Sequence, residues 1–536
     1  MHACLHISEI VQNIVEHADG GLVSLALACR AFYEPAMNVI WSDLPGLRPL
    51  LQCFPRAVTG ATLFWNSQMK RYPVPAERRR FEHHAPRVRR LTVSFVEVEL
   101  GASEGWLLAL AEIYAQSAAF PNLRSLTVNG GRQVESGYSL FAQSPLEELV
   151  IYSDDEDDYL NIAMLILAVS STLLRLRWSW ESEPSGLAIE NLDLDTAVRS
   201  CPNMQKLHVF IPYSSATISH LARLSTLVSL TIHVDELDYA DLLSGIPWPF
   251  PKLLHLKVFH GTERLPSLLS LFQIAPPLQL ESLEIYFPGR WIDEQTVAES
   301  VTAIFPAIQG FSCLRRLSVG AAYHEIRLWI DVHSVHGSVL QPILQMHSLE
   351  VLDLADIPMQ LSTIELTDIA SAFPRLQRLR LGSNAQWNPH TSIWDRFGHD
   401  RRLAIEDLLC FSRYCPELQE LAISNDFLPA DPSLQRRDAS LLAASNLREL
   451  CLGMSHIAEA KGVAAFCAEV YPLAQVTSNI RARDDDAEEW AKVIDTIDSM
   501  KNRLAVSRML EERIAASRRT HRSVAVQAQP DYVSEG

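Results

Sequence analysis

One short pattern of apolar and polar positions recurs along most of this 536-residue chain. Its apolar residues are spaced L-x-x-L-x-V/I/L, and a proline often precedes them, as in PRVRRLTV (86–93), PNLRSLTV (121–128) and PNMQKLHV (202–209). Thirteen copies have their first apolar residue between Val88 and Leu447, at intervals of 23 to 42 residues. A mean interval of about 30 residues is typical of stacked repeat architectures.

Each copy predicts one strand followed by one helix. The i, i+3, i+5 spacing directs the apolar side chains of a strand into one interior, and the proline closes the preceding element. Helix-capable stretches such as 105–119 and 192–200 lie between the copies. A single repeat cannot bury its apolar face, so neighbours must stack. The pattern therefore predicts an α/β fold: a curved solenoid over residues 86–480, with a parallel sheet on the concave side and helices on the convex side.

The copies resemble irregular leucine-rich repeats of the ribonuclease-inhibitor-like type, although the asparagine that often follows the strand is mostly absent. YPLAQVTS (471–478) is expected to be a degenerate closing repeat. Beyond it, the pattern predicts a C-terminal helix over 481–517 and a disordered tail over 518–536.

The first 50 residues lack the repeat motif and instead show helical periodicity. Apolar residues recur at helical spacing between Ile7 and Val15, and a second apolar stretch starts at Leu22, after the break at Asp19–Gly21. Three short helices fit best, followed by a linker or lead-in segment over 51–85.

This amino-terminal module resembles the F-box. The matching features are L-x-I-x-E-I from Leu5 to Ile10, L-x-x-L-A-L-A-C-R-A-F from Leu22 to Phe32, and the closing Trp41. The continuation WSDLPGLRPLLQCFP (41–55) is similar to mushroom-type fungal F-box proteins, whereas Ser8 stands where many F-boxes have proline.

The resemblance implies docking to a Skp-type adaptor, and through it to a cullin. The residues it assigns to docking, or to the helices that present it, are Leu5, Ile7, Ile10, Leu22, Leu25, Leu27 and Trp41. Alternatively, the helices only cap the apolar end of the solenoid.

Composition narrows the functional classes. A net charge of −18 argues against a protein coated in basic residues for nucleic acid or anionic membranes. Nine cysteines without a CxxC pair indicate reduced thiols, and no signal peptide or membrane-spanning stretch is seen, so we expect a cytoplasmic or nuclear protein. The basic segment 69–90 is interpreted as a solvated linker or lead-in helix, with an anion site as the alternative. His83 and His84 are adjacent and lack the i, i+4 spacing of zinc ligands, so neither metal nor cofactor is expected.

No catalytic motif is present, and Cys29 is interpreted as a small core residue. We therefore expect no enzyme; one built from dispersed residues is the distant alternative. The resemblance implies the substrate-recognition subunit of a Skp–cullin–F-box ubiquitin ligase, and the runner-up is a repeat scaffold with no ligase role.

Recognition of a protein substrate is expected on the concave sheet face. The outward positions of the middle repeats there predict a basic and aromatic patch suited to an acidic or phosphorylated peptide, against the alternative of a solvated face of mixed charge. The candidate residues are Arg175, Arg177, Lys206, His208, Phe210, His233, His255, Lys257, Phe259 and Tyr286. The acidic run SDDEDDY (153–159) is interpreted as an exposed loop, or alternatively as a contact for a basic partner.

Overall fold

A computed structural model gives the structure of the protein. It describes residues 7–18, 20–55, 72–94, 109–129, 137–152, 159–179, 192–234, 239–246, 249–260, 265–274, 279–287, 294–321, 335–357, 359–382, 403–424, 427–428, 446–452, 460–477 and 490–502. Leu5, the acidic residues 153–158 and the tail 518–536 lie outside these ranges. The chain divides into two compact units, Met1–His260 with Pro266–Leu280, and Gly261–Leu265 with Glu281–Gly536.

Parallel strands in chain order form the core of each unit. The first unit contains β1 (Asp43–Leu44), β2 (Arg90–Ser94), β3 (Ser125–Asn129), β4 (Glu148–Tyr152), β5 (Arg175–Ser179), β6 (Lys206–Pro212), β7 (Ser229–Val234) and β8 (His255–His260). The second contains β9 (Ser282–Phe287), β10 (Arg316–Ala321), β11 (Val335–His336), β12 (Val351–Leu354), β13 (Met359–Gln360), β14 (Arg378–Leu381), β15 (Leu403–Ala404), β16 (Glu420–Ile423), β17 (Phe427–Leu428), β18 (Glu449–Cys451) and β19 (Gln475–Thr477). Two short pairs, β11 with β13 and β15 with β17, stand apart from the main ladder.

Helices fill the connections between strands. They are α1 (Ser8–Glu16), α2 (Leu22–Ala28), α3 (Arg30–Ile40), α4 (Arg48–Leu51), α5 (Pro75–His84), α6 (Tyr159–Val169), α7 (Leu192–Arg199), α8 (Ser215–Arg223), α9 (Tyr239–Leu243), α10 (Leu265–Ile274), α11 (Glu294–Ile308), α12 (Thr363–Ala372), α13 (Leu409–Tyr414) and α14 (Ala460–Val470). Short 3-10 helices cover Ala85–Arg87, Gly137–Phe141, Gly337–Ile343 and Ile405–Leu408. Residues 490–502 are also helical. None of the described helices is long and apolar enough to cross a membrane.

The repeated leucine forms the central column of each core. Strand pairing aligns Leu91, Leu126, Leu149, Leu176, Leu207, Leu230 and Leu256 in the first unit. In the second it aligns Leu283, Leu317, Leu352, Leu379, Leu421, Leu450 and Val476. All of these side chains are buried. The α/β repeat fold is thus confirmed: each of the thirteen motif copies supplies a strand, and β19 adds one more from the degenerate closing copy.

Polar side chains at the turns before the strands link neighbouring repeats. The Nδ2 group of Asn122 donates to the carbonyl of Pro86 at 2.7 Å, and that of Asn203 donates to the carbonyl of Ser171 at 3.1 Å. Asn446 repeats this contact with Pro416 at 2.9 Å. These bonds satisfy turn carbonyls that the sheet does not use.

The amino-terminal helices enclose a small core of their own. Its buried members are Val11, Val15, Ala26, Phe32 and Ala36. Helix α2 begins after Gly21, whose φ of 70° lies in the left-handed region that favours glycine. The break predicted at Asp19–Gly21 therefore marks the turn between α1 and α2, and the three predicted helices are α1, α2 and α3.

Candidate functional site

Several large apolar side chains of the amino-terminal module face solvent. Val23 and Leu27 are 63% and 78% exposed and lie four residues apart on α2, which places them on one helical face. Ile7 and Ile14, seven residues apart at α1, are 48% and 40% exposed, and Tyr33 on α3 is exposed as well. Val11 and Val15 take the core side of the same apolar stripe of α1, and Ile7 and Ile14 lie at its exposed edge. The apolar stripe of α1 is therefore wider than the small core that it covers.

The residues assigned to docking divide into two groups. Ile7 and Leu27 are exposed, whereas Ile10, Leu22 and Leu25 are partly buried, the last two packing against the small core. The assignment omitted Val23, Ile14 and Tyr33. Val23 could have been found from its i, i+4 spacing to Leu27, since Ala26 takes the core position between them.

Trp41 lies at the joint between the module and the repeats. Its indole ring stacks on the imidazole of His84 at the end of α5, with ring centroids 4.1 Å apart and planes inclined by 17°. Directly after Trp41, β1 pairs in parallel with β2, aligning Leu44 with Leu91. The segment that follows the helices is therefore the first strand of the ladder.

Ion pairs close the same joint. The guanidinium of Arg87 lies 2.6 Å from a carboxylate oxygen of Glu34 on α3 and also donates to Asn38. Arg90 pairs with Asp43 across β1 and β2 at 2.8 Å. Arginines of the basic segment 69–90 thus bind residues of α3 and β1, and α5 lies within this segment.

The predicted recognition face is assembled in the first unit. The parallel pairing of β5 to β8 places Arg175, Lys206, Ser229 and His255 side by side in one row. The next row contains Arg177, His208, Thr231 and Lys257. Arg177, Lys206 and His255 are exposed, and Lys257 and His208 are half-buried. Alternation along each strand sends the buried leucines to the opposite side, so these residues share one sheet face.

The face is less regular at its far edge. Strand pairing shifts between His208 and Pro212, so Pro212 rather than Phe210 lies opposite His233. Phe259 is only 9% exposed and contacts the ammonium of Lys257 at 5.0 Å. Tyr286 belongs to β9 of the second unit and is described with that unit. Its pKa is raised to about 12 by burial and by the nearby Glu284 carboxylate.

His208 lies in the row that also contains Arg177, Thr231 and Lys257, which is called the basic row below. Its Nδ1 lies 2.8 Å from the hydroxyl of Thr231 and its Nε2 lies 3.3 Å from the hydroxyl of Ser229. Burial, reinforced by the charges of Arg177, Lys257, Lys206 and His255, lowers the pKa of His208 to about 4. The ring is therefore neutral at physiological pH, and its two hydroxyl partners suit a neutral imidazole, which donates through one nitrogen and accepts through the other.

The titratable side chains of the described residues bear on metal binding and on thiol reactivity. None of their His, Cys, Asp and Glu side chains form a group of three that could hold a metal ion. Burial raises the pKa of four thiols to about 12, which keeps them protonated at neutral pH; these are Cys201, Cys410, Cys415 and Cys467. Cys29 is partly buried and packs against the core of the module. What the described residues do offer is two surfaces, one apolar and one basic.

Fold and surfaces together define an α/β protein of stacked parallel repeats preceded by a small helical module. No protein-family model matches the chain, and neither does any curated protein. Among solved structures it is similar to one described as the crystal structure of the Rad7 and Elc1 complex in yeast, at 15% identity and a TM-score of 0.35, over 88% of this chain and 92% of that one.

Proposed function

We propose that the chain is the substrate-recognition subunit of a Skp–cullin–F-box type ubiquitin ligase. In this proposal α1 to α3 form the F-box and bind a Skp-type adaptor, and the repeats bind the target protein. The receptor catalyses nothing itself and acts by holding the target close to the ubiquitin-charged enzyme. Its expected location is the cytoplasm, the nucleus or both.

The observation that carries the proposal is the exposed apolar pair Val23 and Leu27 on a helix that already has a complete core side. Fully burying such a side chain contributes roughly 1.5–3 kcal/mol, so a few of them at an interface supply a useful affinity after the cost of association. The F-box-like motif between Leu22 and Phe32 contains both residues. The joint at Trp41 and β1 supports the same reading, because a fixed connection would hold a target at a defined place relative to the adaptor.

One observation favours a second candidate, a repeat scaffold with no ligase role. The module continues directly into β1, which pairs with the first full repeat strand, and a terminal cap would do the same. The two candidates differ in whether the exposed apolar face of α2 has a partner.

A pull-down of the full chain with a purified Skp-type adaptor tests this difference. We expect Val23→Asp combined with Leu27→Asp to weaken adaptor binding at least tenfold without unfolding the chain, because both side chains face solvent. The matched control is Leu160→Asp with Met164→Asp: this pair also lies four residues apart, on α6, and is 56% and 60% exposed. Adaptor binding that survives the α2 substitutions would contradict the assigned face, and a folded wild type that binds no adaptor would favour the scaffold.

A further inference from the structure

Two exposed cations on one sheet face of the first unit, Arg177 on β5 and Lys206 on β6, form no ion pair with any other described residue. The positions of β4 to β7 that face away from the buried leucines include one carboxylate, Glu148. That carboxylate is already engaged, because it pairs with Arg175 at 3.1 Å and accepts from the hydroxyl of Ser125 at 2.9 Å. The charges of Arg177 and Lys206, called the cation pair below, therefore face solvent without compensation.

The corresponding strand positions of the second unit are balanced. There Glu420 accepts from Arg378 at 2.5 Å and also from Arg380, whose guanidinium lies 3.7 Å from Asp353. Arginines and carboxylates thus neutralise one another across β12, β14 and β16. Because the repeat can place a carboxylate beside each arginine, the uncompensated charge of the cation pair is a local property of the first unit.

The strand register places the cation pair on a diagonal. Arg177 is aligned with His208, and Lys206 lies two residues before His208 on the same strand and the same face. Strands about 4.8 Å apart that rise about 3.3 Å per residue separate the backbones of the two cations by about 8 Å. Long side chains at diagonal positions of a sheet reach one another. Both cations can therefore contact one small group placed between them.

Local contacts orient the guanidinium of Arg177. Its Nε donates to the Ser179 hydroxyl at 3.2 Å, and its central carbon lies 6.0 Å from the ring centroid of Tyr152. Its two terminal nitrogens make no hydrogen bond within the part of the chain that the structure describes. They are the edge of the guanidinium that binds two oxygens of one anion. The neighbouring His208 is neutral at physiological pH and its ring nitrogens already face two hydroxyls, so it adds no charge to the site.

The number of charges indicates the kind of anion. A phosphate monoester carries a charge of about −1.5 to −2 at pH 7 and has three acceptor oxygens, enough for the two nitrogens of Arg177 and the ammonium of Lys206. A carboxylate carries only one charge and two oxygens. Nucleic acids and anionic membranes bring many phosphates close to a chain whose net charge is −18, whereas a modified protein side chain brings one.

We propose that the cation pair binds one phosphorylated side chain of a partner protein. The terminal nitrogens of Arg177 hold two phosphate oxygens, and the ammonium of Lys206 holds the third. Only the identification of that partner as a ligase target rests on the proposed function; the phosphate binding itself does not.

Fluorescence anisotropy with the full chain tests the proposal at low ionic strength, where charge contacts are least screened. The probes are labelled 12-residue peptides with mixed flanking residues and a fixed central phosphoserine, glutamate or serine. We expect the phosphoserine peptides to bind at least fivefold more tightly than the glutamate peptides. Equal affinity of these two, or no binding of the phosphoserine peptides, would overturn the site. Tighter binding of a labelled 12-nucleotide single-stranded DNA would overturn the protein partner.

Neutralising the cation pair locates the site. We expect Arg177→Gln with Lys206→Gln to weaken phosphoserine binding at least tenfold. The matched control, Arg223→Gln with Lys252→Gln, removes two exposed charges away from this strand face and should change binding less than twofold. Equal losses in the two variants would reduce the effect to bulk charge and overturn the site.

Arg177→Lys separates hydrogen-bond geometry from charge. It keeps the positive charge and removes the two-nitrogen edge, so we expect it to lose at least threefold in phosphoserine affinity. Full affinity would contradict the assigned role of the guanidinium. Circular dichroism checks that each variant is folded. Adaptor binding, measured in parallel, should be unaffected in every variant. A wild type that binds phosphoserine peptides but no adaptor would contradict the proposed function and leave this site standing.

Discussion

The indole of Trp41 lies flat on the imidazole of His84, with ring centroids 4.1 Å apart. This contact joins the end of the helical module to the end of the lead-in helix, 43 residues further along the chain. The ion pair between Arg87 and Glu34 and the pairing of β1 with β2 close the same joint. Anything that charges or removes one ring should therefore loosen the connection between module and repeats.

Acidification should weaken this joint through His84. Burial, followed by the charges of His83, Arg87 and Arg80, lowers the pKa of His84 to about 4, from an unfolded value near 6.5. Between these values the unfolded chain binds more protons than the folded one, so the free energy of unfolding falls as the pH falls. The contribution is complete above pH 6.5 and is lost as the pH approaches about 4.

Thermal unfolding of wild type and His84→Phe between pH 7.5 and 4 measures this contribution. Phenylalanine keeps a flat ring against Trp41 but cannot titrate, so the variant should lose less stability than wild type across this range. Because the carboxylates titrate in both proteins, the difference between the two curves isolates His84. Parallel curves would show that His84 has no shifted pKa in the folded protein.

The start of α1 gives a prediction about Ser8. Ser8 is the first helical residue, a position that favours proline, and Ile7 before it has φ −94° and ψ 111°, which is the extended conformation that a following proline requires. Among the described hydrogen bonds, the backbone N–H of Ser8 has no acceptor. We expect Ser8→Pro to stabilise the protein by about 0.4–1 kcal/mol, by restricting the unfolded chain.

Chemical denaturation measures this change, and Asn13→Pro serves as the control. Asn13 lies in the interior of α1, where proline costs about 3 kcal/mol or more. A destabilising Ser8→Pro would mean that α1 begins elsewhere, and the departure of this chain from the F-box pattern at Ser8 would then reflect a different local structure.

The repeat core was predictable from sequence because its signal is local and repeated. Thirteen copies place a leucine on one side of a short strand, and burial of that side fixes the register, since a shift by one residue would expose every leucine. The contact between the helical module and the repeats had no such local, repeated pattern in the sequence. β1 is only two residues long, and the contact of Trp41 with His84 depends on how α5 packs.

The candidate surfaces were predictable only in part, for two physical reasons. Apolar residues occupy more than one side of α2, so the i, i+4 spacing groups Val23 with Leu27 but could not show, before the packing of the three helices was known, that their side is the exposed one. The pairing of β6 with β7 shifts after His208, and this shift takes Phe210 out of the predicted row. The sequence at the shift, VFIP (209–212), is apolar throughout, so the shift leaves no break in the hydrophobic pattern.

The aligned leucines should have a large and position-specific effect on stability. Leu230 is fully buried in the column of the first unit, and truncation of such a side chain costs about 2–5 kcal/mol, through lost burial and a residual cavity. We expect Leu230→Ala to destabilise by that amount, and Leu473→Ala, at a site 76% exposed, to change stability by less than about 0.5 kcal/mol. Chemical denaturation compares the two variants. Similar values would mean that the leucine column is not the core.

The last prediction concerns the imidazole in the basic row. Burial is the main cause of the low pKa of His208, and Arg177 on the adjacent β5, Lys257 and His255 on β8, and Lys206 on its own strand reinforce it. Removing one cation should therefore raise the pKa of His208 and leave most of the shift in place, since the ring stays buried beside Ser229 and Thr231. We expect Arg177→Gln to raise the pKa of His208 towards, but not to, 6.5.

Histidine NMR titration measures the change, with Arg223→Gln as a distant control that should leave the pKa unaltered. A pKa unaffected by Arg177→Gln would show that the charges of the row do not reach His208.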